Sequence, residues 1–219
     1  MDTEVAGHSS RAPRNTLSHA SVVAAAVALA DDHGLDAVTI RALAGRMGVT
    51  PMAIYHHVPS KADLLDRIVD AVYEQITRSD SVGTWRTQLR DLSVSTRRVL
   101  VQHPWVVAMV GSRTSPTRPA TIAHHENVLA TLARAGADPR QAIMSALLLD
   151  AFVWGFVVQE LSMPSPAMST DLPDDARHAR AALRTLEQEV GLLDRAFAEG
   201  LDLALDGIAA RLAQPTVRS

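Results

Sequence analysis

Residues 38–58 read VTIRALAGRMGVTPMAIYHHV, and no other stretch constrains the fold as tightly. Val38, Leu43, Met47, Val49 and Ile54 are spaced so that two short helices turn their apolar sides toward one shared core. Gly48 stands where the chain must turn sharply, a position that takes positive φ at little cost. Thr50 can then cap the second helix, with Pro51 at its first position, where a missing N–H costs nothing. Helix, glycine turn and capped helix at this length form a helix-turn-helix, whose second helix enters a DNA major groove. An ordinary αα-hairpin is the alternative.

The rest of the chain leaves room for more than this unit. Its 219 residues can hold a small domain and a larger one, and an apolar fraction of 47% is enough for a core. Cysteine is absent, which removes a disulfide framework and any Cys-based zinc site. The opening MDTEVAGHSSRAPRN is polar, lacks the apolar run of a signal peptide, and points to cytoplasmic residence. Net charge is −3, and Asp31, Asp32, Asp36, Asp63 and Asp66 lie in or beside the helix-turn-helix segment. A broad phosphate clamp is therefore not expected, although a compact patch of cations would suffice because each phosphate contact acts locally. Lys61 is the only lysine, so arginine carries the rest of the positive charge.

Helical periodicity runs through the whole chain, with no internal repeat and no convincing strand, so an all-α fold is expected. Residues 1–15 read as a disordered tail in which Arg11 and Arg14 are either solvated or reach a minor groove. A first helix is expected from Ser18 to His33, ending at Gly34. Another begins at Ser60, with Asp63 three residues on as in a capping box. After a linker over 79–84, helices are expected at Trp85–Gln102, 106–110, Thr121–Ala135, from Asp138-Pro139 onward, at 174–189 and at Asp194–Leu212. The helix after Asp138 is apolar on nearly all sides, the mark of a helix that is buried or in a membrane. Its uninterrupted apolar run is shorter than about 20 residues and contains Asp150, so burial between subunits is the expectation, with no membrane partner.

The run IYHHVPSKADLLDRIVDAVYEQI, together with the preceding LSHASVVAAAVALADDHGLDAVTIRALA, resembles the TetR family of bacterial repressors. In that family three helices end in an aromatic-rich recognition helix, followed by a short turn and a Lys that heads a long fourth helix. The corresponding residues are Tyr55, His56 and His57, the Val58-Pro59-Ser60 turn, and Lys61. SVGTWRTQLRDL, the Gly111-Ser112-Arg113 turn and DRAFAEGLDLALDGIAARL more weakly resemble the C-terminal domain of the tetracycline-repressor branch. The resemblance implies a head over residues 16–62 and a helical effector-binding and dimerisation domain over 63–219, with the long apolar helix and the last helix forming a four-helix bundle between two copies.

It also implies roles. By position in the family motif, Pro51, Met52 and Ala53 face the groove and offer apolar contacts such as those to thymine methyls. Arg41 matches a base-reading Arg, with a solvated helix Arg as the alternative. Thr39, Thr50, Tyr55, His57 and Lys61 match phosphate-gripping positions, and a capping role for the two threonines is equally compatible. His56 sits at a groove-facing position, where it either reads a base or is simply exposed. One head covers few base pairs, so a twofold dimer on a palindromic operator is expected, with half-sites about 10 base pairs or a multiple apart.

A DNA head on a large helical domain suggests a switch worked by a small molecule, with the fourth helix as lever. The expected pocket lies among helices five to eight, where Trp85, Trp105, Met109, Met144, Phe152, Trp154 and Phe156 are the large or soft apolar candidates; plain core or dimer packing is the alternative for each. Asp150, Gln159 and Glu160 are the polar residues in or near the apolar helix; Asp150 either pairs with an Arg across the dimer or holds a cationic ligand. Met109 stands where the tetracycline repressor has a metal-binding His, and its drug-contacting His and Asn fall near Thr77 and Leu92. These departures make a magnesium–tetracycline ligand doubtful and a more hydrophobic effector the expectation. Neither a metal nor another cofactor is expected: the adjacent pairs His56-His57 and His124-His125 diverge around a helix. No GxSxG, P-loop, GxGxxG or Cys–His arrangement supports an enzyme. A ligand-independent regulator or an activator is the other class of reading.

Overall fold

In the computed structural model, residues 17–76, 83–109, 118–163, 172–173 and 175–214 are described. Among the described residues ten α-helices follow one another: α1 His19–His33, α2 Ile40–Met47, α3 Pro51–Tyr55, α4 Lys61–Glu74, α5 Trp85–Gln102, α6 Pro104–Met109, α7 Pro119–Arg134, α8 Pro139–Ser162, α9 Arg177–Gln188 and α10 Leu192–Leu212. A 3-10 turn at Leu35–Ala37 links α1 to α2, and no strand occurs among the described residues. The fold is all-α. The expected tail over 1–15, most of the 79–84 linker, the Gly111-Ser112-Arg113 turn and Thr77 lie outside the described residues.

Local chemistry sets most helix ends. Ser18 and Ser21 cap α1 reciprocally, each side chain accepting from the other's backbone N–H, at 3.1 and 2.9 Å. Asp138 and Gln141 do the same for α8, at 2.8 and 3.0 Å. At α4 the box is one-sided: Ser60 Oγ accepts the Asp63 N–H at 3.1 Å. The Asp63 carboxylate does not return the bond, because Arg67 and Arg118 occupy it.

Val22, Val38, Leu43, Ile54, Val58 and Leu64 are fully buried where α1, α2, α3 and the start of α4 meet. α4 packs on α1 and on α7, so it belongs to both halves of the molecule. α8 lies against α5, α7 and α10. It buries Ala142, Ser145, Ala146, Leu149, Val153 and Val157, one stripe of the helix. Its opposite stripe, with Ile143, Met144, Leu147, Leu148, Val158 and Leu161, is uncovered in the single chain. α8 is long enough and apolar enough to cross a membrane, with mean hydropathy 1.8, but Asp150 interrupts it and the buried stripe is packed against protein.

Candidate functional site

The helix-turn-helix forms as its residues dictate. Thr39 Oγ1 accepts the Ala42 N–H at 3.1 Å and Thr50 Oγ1 accepts the Ala53 N–H at 3.3 Å, so both threonines cap helices. Gly48 turns the chain between them at φ 67° and ψ 31°, the left-handed region. Ile54 and Val58 anchor α3 in the core, which turns Pro51, Met52, Tyr55 and His56 outward. Met52 keeps 66% of its surface exposed and Tyr55 47%, so both side chains are available for contact on this face. Ala53 and His57 are half-buried beside them. Arg41 and Lys61 are exposed and have no ion-pair partner among the described residues. Nearby Arg46, by contrast, is held by Asp32 at 2.8 Å, and Arg67 by Asp63 at 2.5 Å. The face therefore offers two uncommitted cations around an apolar and aromatic centre.

Two polar joints tie this head to the remaining helices. At the head end of α4, Asp63 accepts from Arg67 and from Arg118 at the start of α7. Burial pushes the Asp63 carboxyl up, but the two arginines outweigh it and leave the group below the usual carboxylate value. At the far end, His103 follows α5 and its Nδ1–H donates to Asp31 of α1 at 2.7 Å. Its Nε2 lies 3.1 Å from the Gln75 side-chain oxygen at the end of α4. Trp105 Nε1–H donates to the same Asp31 oxygen at 2.7 Å.

Between α4, α5 and α7 lies a cavity of about 480 Å³, lined by Tyr73, Gln75, Ile76, Leu92, His124 and Asn127 among others. Tyr73 and His124 meet edge-on with centroids 5.3 Å apart, and His125 stacks on Tyr73 at 6.3 Å. Burial, helped by the charge of Asp150, raises the Tyr73 hydroxyl to about 12. Burial, with a smaller contribution from His125, lowers His124 to about 4. Both groups are neutral near pH 7, so Tyr73 and His124 present hydrogen-bonding groups without charge, while Glu74 places a carboxylate on the same wall. Burial also raises Asp150, with His125 opposing.

The apolar candidates singled out from sequence do not converge on one cavity. Phe152 and Phe156 pack on Phe197 of α10, at 5.4 and 5.2 Å. Arg97 covers that cluster, its guanidinium 4.8 Å from the Phe197 centroid, and it binds both Glu160 oxygens at 2.7 and 2.8 Å. Trp105 is engaged by Asp31, Met109 is buried, Trp85 and Trp154 are half-buried against the core, and Met144 and Gln159 face outward. Leu92 does line the cavity, at the place where the resemblance aligns a drug-contacting Asn.

Residues 22–68 match the family described as bacterial regulatory proteins, tetR family. Residues 79–212, more than half of the chain, match the tetracyclin repressor-like C-terminal domain. The chain belongs to the TetR family. This TetR-family member is 30% identical over 181 residues to the HTH-type transcriptional repressor DrrR1 of Streptomyces coeruleorubidus, covering 82% of this chain and 66% of that protein. It spans only 61% of a second relative, an HTH-type transcriptional regulator of Saccharopolyspora erythraea. To the class G tetracycline repressor protein of Vibrio anguillarum it is 30% identical over 87% of this chain and 93% of that one. Among solved structures, a single-substitution variant of TetR from Acinetobacter baumannii in complex with minocycline superposes with a TM-score of 0.68 at 27% identity, over 92% of this chain and 98% of that one. Members of this family are DNA-binding transcriptional regulators, not enzymes.

Tyr73, His124 and Asn127 are not legible in the sequence as site residues. Tyr73 reads as one more apolar position of α4, and His124 and Asn127 fall on a helix with no motif. Only the packing of α7 on α4 brings them to one cavity.

Proposed function

We propose that the protein is a dimeric repressor that binds a palindromic operator and is released from it by a small, largely hydrophobic effector. The observation that carries this reading is the helix-turn-helix face. Met52, Tyr55, His56, Arg41 and Lys61 are exposed there on a rigid, capped scaffold. Pro51, Met52 and Ala53 offer apolar contact to base edges, and Arg41 offers a bidentate donor for guanine. Tyr55, His56, His57 and Lys61 flank them as phosphate or base contacts, and Thr39 and Thr50 can add phosphate contacts beside their caps.

The dimer reading rests on the uncovered stripe of α8 and on Leu203 of α10, which is 72% exposed. A run of Ile143, Met144, Leu147, Leu148, Val158 and Leu161 in water is costly, and a second copy covers it by twofold symmetry. The effector reading rests on the cavity between α4, α5 and α7, whose neutral Tyr73 and His124 and apolar Ile76 and Leu92, beside the one carboxylate of Glu74, suit a largely apolar ligand with a few polar groups. A bound drug in the Acinetobacter baumannii relative supports an effector in this fold. A regulator of this kind works in the cytoplasm.

The test is a complex of the full-length protein with a labelled fragment of the DNA upstream of its own coding sequence, challenged with a panel of uncharged hydrophobic compounds. Release by some of them, with a raised melting temperature for the free protein, is expected. A complex that no compound dissociates supports a ligand-independent regulator instead.

A further inference from the structure

α7 begins without a cap of its own. Its flanking residue is Arg118, which makes no side-chain cap bond, and Pro119 fills the first helical position. The first N–H groups of a helix lack partners and ordinarily draw a Ser, Thr, Asp or Asn from the same chain segment. Here the oxygen comes from another helix. Asp70 Oδ1 on α4 accepts the Thr121 backbone N–H at 2.9 Å and the Thr121 hydroxyl at 3.1 Å. Two turns earlier on the same face of α4, Asp63 accepts from Arg118 itself. One turn further along both helices, Tyr73 meets His124 edge-on at 5.3 Å, and these two rings line the cavity. The pairs Asp63–Arg118, Asp70–Thr121 and Tyr73–His124 thus form a single row along the α4–α7 seam.

We propose that the cap lent by Asp70 to Thr121, with the Asp63–Arg118 pair, is a latch that holds α4 in its DNA-competent position, and that an effector entering between Tyr73 and His124 opens it. This rests on the regulator reading above. A ligand shifts a conformation only by binding one arrangement better than another. A molecule that spreads Tyr73 from His124 works against a cap one turn away, while two carboxylates also face the positive end of α7. Asp63 lies two residues beyond Lys61, so the Asp63–Arg118 pair carries the latch from the cap at Asp70 to the place where α4 follows the recognition helix.

The test uses the full-length protein without ligand, on DNA that the wild type binds. Asp70→Ala removes the cap, Asp70→Asn keeps an oxygen acceptor, and Asn127→Trp fills the cavity from α7 as a side-chain stand-in for a ligand. Amide hydrogen exchange at residues 121–124 and operator affinity are read together. Asp70→Ala is expected to speed exchange about fivefold and weaken operator binding about tenfold. Asp70→Asn is expected to fall between Asp70→Ala and the wild type in both readouts. Asn127→Trp is expected to reproduce both effects of the Ala variant. Faster exchange at wild-type operator affinity would overturn the latch and leave the cap purely structural, and unchanged exchange in Asp70→Ala would overturn the cap itself. An Asn127→Trp protein that keeps wild-type exchange and affinity would detach the cavity from the latch. If the wild type binds no specific DNA, the regulator reading fails and takes the latch with it.

Discussion

Gly200 lets α10 close on α8. A Cβ there would lie 2.7 Å from Phe152 Cε2, and the Phe152 ring is confined between Phe156 and Phe197 at 6.0 and 5.4 Å. Gly200→Ala is expected to lower stability by about 1–3 kcal/mol, read from urea unfolding, although Ala favours a helix. His124 gives a pH dependence. Its folded value, about 4, lies below the ordinary 6.5, so the unfolded chain binds more protons between these values. Stability is present above this window and is lost as pH falls through it, by about 2 kcal/mol between pH 7 and pH 5. Asp150, raised by burial, acts in the opposite sense, gaining stability as pH falls. Unfolding at the two pH values should therefore show a smaller loss in His124→Gln than in the wild type. At this scale the sequence is most legible where partners are local. Gly48, Thr50 and Pro51 can be read from neighbours, whereas the partners of Asp70, Arg97 and His103 lie tens of residues away.

Helix boundaries carry the same lesson. α1, α5 and α8 begin after Ser18, Thr84 and Asp138, each a cap visible in the sequence. Sequence reasoning starts α7 at Thr121, but the helix starts at Pro119, because its cap comes from α4 and no local residue announces it. α9 is expected over 174–189 and forms over Arg177–Gln188 with no side-chain cap at its start. The composition of α8 predicts a helix apolar on all sides and enclosed; within one chain only one stripe is covered, and the proposed dimer is what would cover the other. α4 is held along its length, by Asp63 at the head end, by Asp70 two turns further on, and by Gln75 through His103 at the far end. Trp105→Phe removes one of the bonds to Asp31 and is expected to cost about 1 kcal/mol in an unfolding experiment.

For the whole molecule, the apolar stripe of α8 and the exposed Leu203 of α10 are the surface through which the proposed dimer assembles. Leu147→Glu with Leu203→Glu places acids on that face without touching the buried stripe. The double variant is expected to sediment as a monomer with wild-type helix content and to bind operator at least about 100-fold more weakly, because two linked heads gain avidity that one head lacks. In the proposed complex Arg41 reads a base while Lys61 holds a phosphate on the helix-turn-helix face. Fluorescence anisotropy on the upstream operator and on scrambled DNA, across a salt series, tests it directly. Arg41→Ala should lose about 1–3 kcal/mol of discrimination between the two DNAs. Lys61→Ala should weaken both alike and reduce the salt slope by about 1. Equal binding of operator and scrambled DNA by the wild type, or discrimination untouched by Arg41→Ala, would contradict the account.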